Sequence, residues 1–289
     1  MAEKKNRKKT SRRLKSLDAY YQITPFLMKT RQDASNYFMD SLEVTEIDKF
    51  LKKLRSEGYK GIGLLHLFIA AYIRTVSQRP ALNRYICGQR IYSRSDIEYV
   101  MTVKKELKSD AGETSIKVMF EPTDTLIDVY NKMNEQVAIV REHTAETSTD
   151  NVAALFMKLP RFVLRMAIRF VEFLDYYNLL PQFLHEASPF HASVIISDIG
   201  SLGIPPIYHH LYDFGNIPIF VTLGAKRKAY ELNRNGEVVE RKYVDYTIVQ
   251  DERICDGFYY AQSFKFLKAY MKNPEQLLVP PETVVEDVR

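Results

Sequence analysis

The 289-residue chain lacks several features whose presence would name a chemistry. It has only two cysteines, Cys87 and Cys255, far apart and without the spacing a metal site needs. No secretory leader precedes them, so free thiols in a reducing, cytoplasmic setting are expected. The glycine patterns of phosphate loops and dinucleotide folds are missing, which argues against those two nucleotide-binding designs. A long uncharged apolar run is missing too. The greasiest stretch, residues 155–184, carries Arg161, Arg165 and Arg169 on one helix. Each would cost about 2.5–3.5 kcal/mol at a bilayer centre, so this helix should not span a membrane. Lys158, those arginines and Glu172 share one narrow sector, and the rest of the helix, about 159–177, is apolar. A helix lying in a membrane interface fits that pattern. Burial against the same chain or a sister subunit is the expectation, with a wall over an acyl site as its functional version.

Charge is present but unevenly placed. The net charge is +5, yet residues 1–18 hold eight Lys/Arg against two acids, which leaves the remaining body near −1. Residues 1–16 should therefore be a disordered basic tail. A solubility role is favoured over contact with anionic membrane or nucleic acid, because no aromatic residues are interleaved to stack on bases.

Hydrophobic residues make up 46% of the chain, ordinary for a folded protein with a sizeable core. Alternating apolar residues from Tyr37 predict a strand that runs into a helix at Thr45, where Thr45 to Asp48 reads as a capping box. Residues 61–78 predict a deeply buried helix stopped by Pro80, with His66 as a hydrogen-bonded core residue. Residues 84–104 read as two strands around Gly88, and 115–120 as another. Thr125–Arg141 has helical spacing. Apolar strands follow at 193–199 and 217–224, then a hairpin turning at Asn235-Gly236 and a last helix over about 257–271. The expectation is a mixed α/β domain over residues 17–281, with a short carboxy-terminal tail at 282–289.

Four separated segments carry a more specific signal. They are LLHLFIAAYIRTVSQRPALN (64–83), SVIISDIGSLG (193–203), NIPIFVTLG (216–224) and DERICDGFYYAQSFKFLKAYMKNPEQLL (251–278). In this order they resemble the catalytic domain of the dihydrolipoyl acyltransferases of 2-oxo acid dehydrogenase complexes, a family related in fold to chloramphenicol acetyltransferase. The resemblance implies a chloramphenicol-acetyltransferase-like two-layer α/β sandwich with a mixed sheet. It also implies a homo-trimer whose active sites lie between neighbouring subunits.

Residue by residue, the family's oxyanion-donating serine falls on Ser197. Its structural aspartate falls on Asp256, followed by Gly257, which would permit the turn into the last helix. The catalytic histidine falls on Glu252. A glutamate is weaker than imidazole as a base toward a thiol by about two pKa units, nearly 3 kcal/mol. His209 and His210, in the loop leading to the second interface strand, are candidates for a relocated base. They lack a third ligand at recognisable spacing, so no metal is expected. The chain leaves no room for lipoyl domains, and a small-molecule acyl donor is expected as a thioester of coenzyme A or of a carrier protein. Two functions compete: a thioester-dependent acyltransferase, and an inactive homologue that keeps the trimer for binding or scaffolding.

Overall fold

The computed structural model describes residues 11–104, 113–142 and 148–289. Six strands form the central sheet: β2 (Ser35–Glu43), β5 (Ile97–Lys104), β6 (Glu113–Phe120), β7 (Val194–Asp198), β8 (Ile219–Leu232) and β9 (Val238–Asp251). Their order is β2-β9-β8-β7-β5-β6. β7 runs parallel to both neighbours and every other pairing is antiparallel, so the sheet is mixed as expected. A smaller sheet, β1-β4-β3, joins Ser11–Arg13, Arg90–Arg94 and Arg84–Cys87. The stretch 84–104 thus holds three strands rather than two.

Period-two alternation gives the large sheet two different faces. Val194, Ile196, Ile219, Val221, Leu223, Tyr246 and Ile248 point to one face and are buried in the main core. There they meet helices α2 (Thr45–Ser56), α3 (Leu64–Gln78), α4 (Leu126–Glu142) and α8 (Gly257–Lys272), whose buried residues belong to the same core. α3 is buried over Leu67 to Ser77. His66, at its start, accepts a hydrogen bond from the Gly63 amide through Nδ1 at 3.1 Å, and burial pushes its pKa down to about 4. The opposite face carries Ile195, Phe220 and Val249, which pack with Leu211 and Ile217 beneath the loop 203–215.

Several expectations are corrected. Residues 1–10 lie outside the described residues, but the chain is ordered from Ser11: β1 pairs with β4, and Leu14 is buried against Ile86 and Ile91. Burial of one leucine and a strand pairing outweigh the basic composition there. The carboxy-terminal segment also docks, since Asp287 pairs with Arg84 at 2.5 Å and the Val285 amide donates to Ser77. α2 starts at Thr45, but its N-cap is Val44 without a side-chain cap; the Thr45 hydroxyl instead accepts from the Lys242 amide. β8 continues past Gly224 to Leu232 through a register shift between Leu223 and Lys226.

The stretch 155–184 forms α5 (Ser148–Met157), α6 (Arg161–Tyr176) and α7 (Gln182–Ala187), with α1 (Ala19–Leu27) near the amino-terminal end of the chain. α6 has no buried residue, so burial within the chain is overturned. Among the described residues, polar contacts pin its last turn. The Asp175 carboxylate lies 3.0 Å from His191, the Cys87 thiol donates to the Asp175 carbonyl, and the Tyr176 hydroxyl donates to Gln89. Gly88 has φ +55°, and a Cβ there would stand 2.2 Å from the Tyr176 carbonyl oxygen. Only glycine allows that approach.

Candidate functional site

Ser197 sits near the carboxyl end of β7, on the sheet face away from the helices. In register with it across the sheet come Thr222, Thr247 and Met39. Thr222 and Thr247 are buried, and the Thr247 hydroxyl donates to the Ile207 carbonyl at 2.5 Å. The Ser197 hydroxyl is half-buried and has no hydrogen-bond partner among the described residues. It is therefore a donor held in place and available. Two close backbone approaches shape the turn after it. A Cβ on Gly200 would lie 2.6 Å from the Gly224 carbonyl, and one on Gly224 would lie 2.3 Å from Pro206.

The loop that follows covers part of this face. His209 stacks on Phe220 with ring centroids 4.0 Å apart and planes 5° from parallel. Its Nδ1 lies 2.9 Å from the His210 carbonyl oxygen. A carbonyl only accepts, so this contact places the proton on Nδ1 and leaves Nε2 as a free acceptor in the neutral ring. His210 is exposed and stacks on His209 at 4.7 Å. Around the same face Tyr37, Met39, Ile207 and Tyr208 are exposed, with Tyr37 and Tyr208 in edge contact.

Glu252 is at the other end of the sheet. It follows β9 in a tight turn, is exposed, and donates its amide to the Ala34 carbonyl. Its neighbours fix that turn. Asp251 is 1% exposed and receives two bonds from the Arg253 guanidinium at 2.7 and 2.8 Å, with the Arg31 guanidinium 4.0 Å away. Arg253 points inward to Asp251 and to the Met28 carbonyl, not toward Glu252. The charge of Asp251 is thus compensated twice. Burial pushes the Cys255 thiol up to about 12, which makes it a poor nucleophile.

Asp256 is the N-cap of α8, accepting from the Tyr259 amide at 2.7 Å, and it also accepts from the Tyr21 hydroxyl. The Tyr21 bond, then the Tyr259 amide, hold its carboxyl below the usual carboxylate range. The pairing raises Tyr21 to about 12. Gly257 has no left-handed φ and open space around its Cβ position, so the turn does not require glycine.

Ser197 and Glu252 do not meet within one chain. Glu252 is five residues beyond Thr247, and Thr247 is two strands from Ser197, which gives a separation of roughly 19 Å from strand rise and spacing. Phe220, under His209, is about 8 Å from Ser197 on the same lattice. The structure therefore brings His209 to the serine's face and leaves Glu252 at the opposite end of the sheet. Tyr21, Arg31, Thr222 and Thr247 were not singled out by sequence reading. Thr222 and Thr247 had a signal: each is a hydroxyl at the outward position of an otherwise apolar strand. Tyr21 and Arg31 had none, since their partners Asp256 and Asp251 lie far along the chain. Among the described residues no cluster of three His, Cys, Asp or Glu could hold a metal.

Solved structures share this architecture. A probable dihydrolipoamide acetyltransferase from Listeria monocytogenes matches with a TM-score of 0.56 at 11% identity, over 90% of this chain and 94% of the other. The fold is chloramphenicol-acetyltransferase-like. Chloramphenicol acetyltransferase itself matches at 0.55 and 11% identity, over 90% and 99% of the two chains. A dihydrolipoamide acetyltransferase of Azotobacter vinelandii, in which a serine, a histidine and an asparagine were investigated for catalytic roles, matches at 0.56 and 12%, over 90% and 89%. At such identities the likeness concerns the fold. No family model matches the sequence, and no curated protein matches it either.

Proposed function

We propose that the protein transfers an acyl group from a thioester of coenzyme A or of a carrier protein, at a site on the outer face of the large sheet. The observation that carries this reading is the available Ser197 hydroxyl, held at the end of β7 in a fold shared with acetyltransferases. An acceptor thiol would lose its proton to a base as its sulfur attacks the thioester carbonyl. Ser197 would donate to the resulting oxyanion. Collapse would expel the donor thiolate, which takes the proton back from the base, so the step balances without another reactant.

Within one chain the base is His209. Its Nε2 is the free acceptor, Nδ1 is tied to a carbonyl, and it lies on the face that carries Ser197. A second reading keeps the sequence assignment. Glu252 of a neighbouring copy would face Ser197 across a trimer interface built on Tyr37, Met39, Ile207 and Tyr208. The exposed Glu252 carboxylate and that exposed apolar rim favour it.

Thioester turnover against a panel of acyl-coenzyme A compounds tests both. Ser197→Ala should lower kcat by about 10²–10³. Of His209→Gln and Glu252→Gln, the one that removes the base should lower it by about 10²–10⁴. Mixing S197A with E252Q protein should restore activity only if the two residues act across copies. If the wild type turns over no acyl thioester, the inactive binding or scaffolding trimer is the better account.

A further inference from the structure

Helix α6 presents an arrangement that the acyl-transfer site does not use. At about 100° per residue, its positions fall into three sectors. Leu164, Ala167, Val171 and Leu174 face the body and are half-buried. Arg161, Arg165 and Arg169 form a second sector, with Lys158 just ahead of the helix and Glu172 as the one acid among them. These four cations are exposed and make no ion pair among the described residues. The third sector is apolar and faces solvent: Phe162 is 71% exposed, Phe170 60%, Met166 56% and Phe173 53%. Exposed Leu155 and Met157 extend it before the helix, and Tyr177, Leu179 and Phe183 after it. Among the described residues no helix is long and apolar enough to cross a membrane.

We propose that α6 docks on the surface of an anionic lipid bilayer, its axis in the membrane plane. The apolar sector would sink about 5–10 Å to the boundary between headgroups and acyl chains. The row of unpaired arginines along one edge of that sector would then sit at the level of the lipid phosphates, while the half-buried sector stays on the protein. Charge complementarity decides for this occupant. A second copy would have to bring acids to the four cations, whereas an anionic headgroup layer supplies them at any lateral position. The Gly88 contact and the Asp175–His191 pair hold the last turn to the body, so docking would present the whole protein in one orientation.

The full-length protein can be tested by co-sedimentation with vesicles of phosphatidylcholine alone and of phosphatidylcholine mixed with phosphatidylglycerol. Binding should require the anionic lipid and weaken as salt is raised. Each cation near such a surface contributes about a fivefold factor, so the triple variant R161Q/R165Q/R169Q should bind on the order of 100-fold less tightly. F162S/F170S should lose binding even at low salt. The chain contains no tryptophan. Phe170→Trp therefore reports on α6 alone, and its emission should shift to the blue with anionic vesicles. Three outcomes would overturn the proposal. Wild type would fail to bind mixed vesicles, or the arginine variant would bind as wild type does while the indole emission of F170W stayed unshifted. In the third, F162S/F170S would lower the oligomeric mass while leaving vesicle binding intact, which would make the face a contact between copies.

Discussion

Helices α3 and α6 look alike as strings of apolar residues and behave in opposite ways. Eleven of the fifteen residues of α3 are buried, and none of α6 is. The difference lies in how polar residues are distributed around the axis. α3 carries no charge until Arg74, and that guanidinium is buried, donating to the carbonyls of Gln276 and Val279. Its small residues, Ala70, Ala71 and Ser77, let it lie against the sheet on one side and α8 on the other. α6 places a cation every fourth residue, and burying that row would leave three guanidiniums without partners. It also spaces large aromatic side chains where no described element reaches. Mean apolar content does not decide burial; the presence of an uninterruptible charged sector does.

The sharpest way to break this comparison is to remove one ring from each helix. Phe68 is 1% exposed and packs edge-on to Tyr246. Phe68→Ala should cost about 3–5 kcal/mol in denaturant unfolding, from lost burial plus the cavity left behind. A loss below about 1 kcal/mol would mean that α3 is not the centre of the core.

A second, smaller effect comes from the one titratable residue at the start of α3. The folded-state pKa of His66 is lowered to about 4 by burial, against about 6.5 in the unfolded chain. The unfolded state thus takes up the proton first as pH falls. The stability conferred by neutral His66 is complete above pH 6.5 and is lost as pH falls through 4, up to about 3 kcal/mol. His66→Asn keeps a short acceptor for the Gly63 amide and removes the titration. The difference in stability between wild type and H66N should therefore shift toward the variant between pH 6.5 and 4. A pH-independent difference would place His66 in water.

Next in size is Gly88→Ala, which acts on α6 without touching it in sequence. The new Cβ meets the Tyr176 carbonyl at 2.2 Å, and the residue must also hold φ +55°. Strain of this kind costs about 1–3 kcal/mol. Limited proteolysis should then cut between Lys158 and Tyr177 sooner than in wild type, while the α3 region stays protected. Equal cleavage rates would show that α6 is held by something other than its last turn.

Much of this architecture was legible in the sequence because it is local. The apolar run of α3 stopped by Pro80, the alternation in β2, the short Val- and Ile-rich run of β7 and the Asn235-Gly236 turn each depend on neighbours a few positions apart. Ser197 and Asp256 were singled out by the family resemblance alone, and the capping of α8 by Asp256 was not among the roles it implied. What was not legible depends on partners far away in the chain. The order of Ser11–Leu14 comes from β4, the Glu252 amide is held by the distant Ala34 carbonyl, and the exposure of α6 comes from the lack of any described element above it. Gly257 shows the reverse limit. A motif glycine suggested a backbone need that the turn does not have.

The smallest expected effect completes the comparison from the other side. Phe170→Ala removes a ring as large as that of Phe68, yet Phe170 is 60% exposed and lies on the solvent sector of α6. Truncation there takes little apolar area out of the folded interior, and substitutions at such surface positions usually stay within about 0.5 kcal/mol. The thermal midpoint in dilute, lipid-free solution should therefore move little, at most about 2 °C for a chain of this size. The unfolded chain exposes the same ring, so no large change in its own solvation offsets the result. If F170A instead destabilised the protein by about 2 kcal/mol or more, well outside the surface range, with that loss depending on protein concentration, the ring would be buried between copies in solution. α6 would then be an interface helix, and its contrast with α3 would be one of which chain buries it.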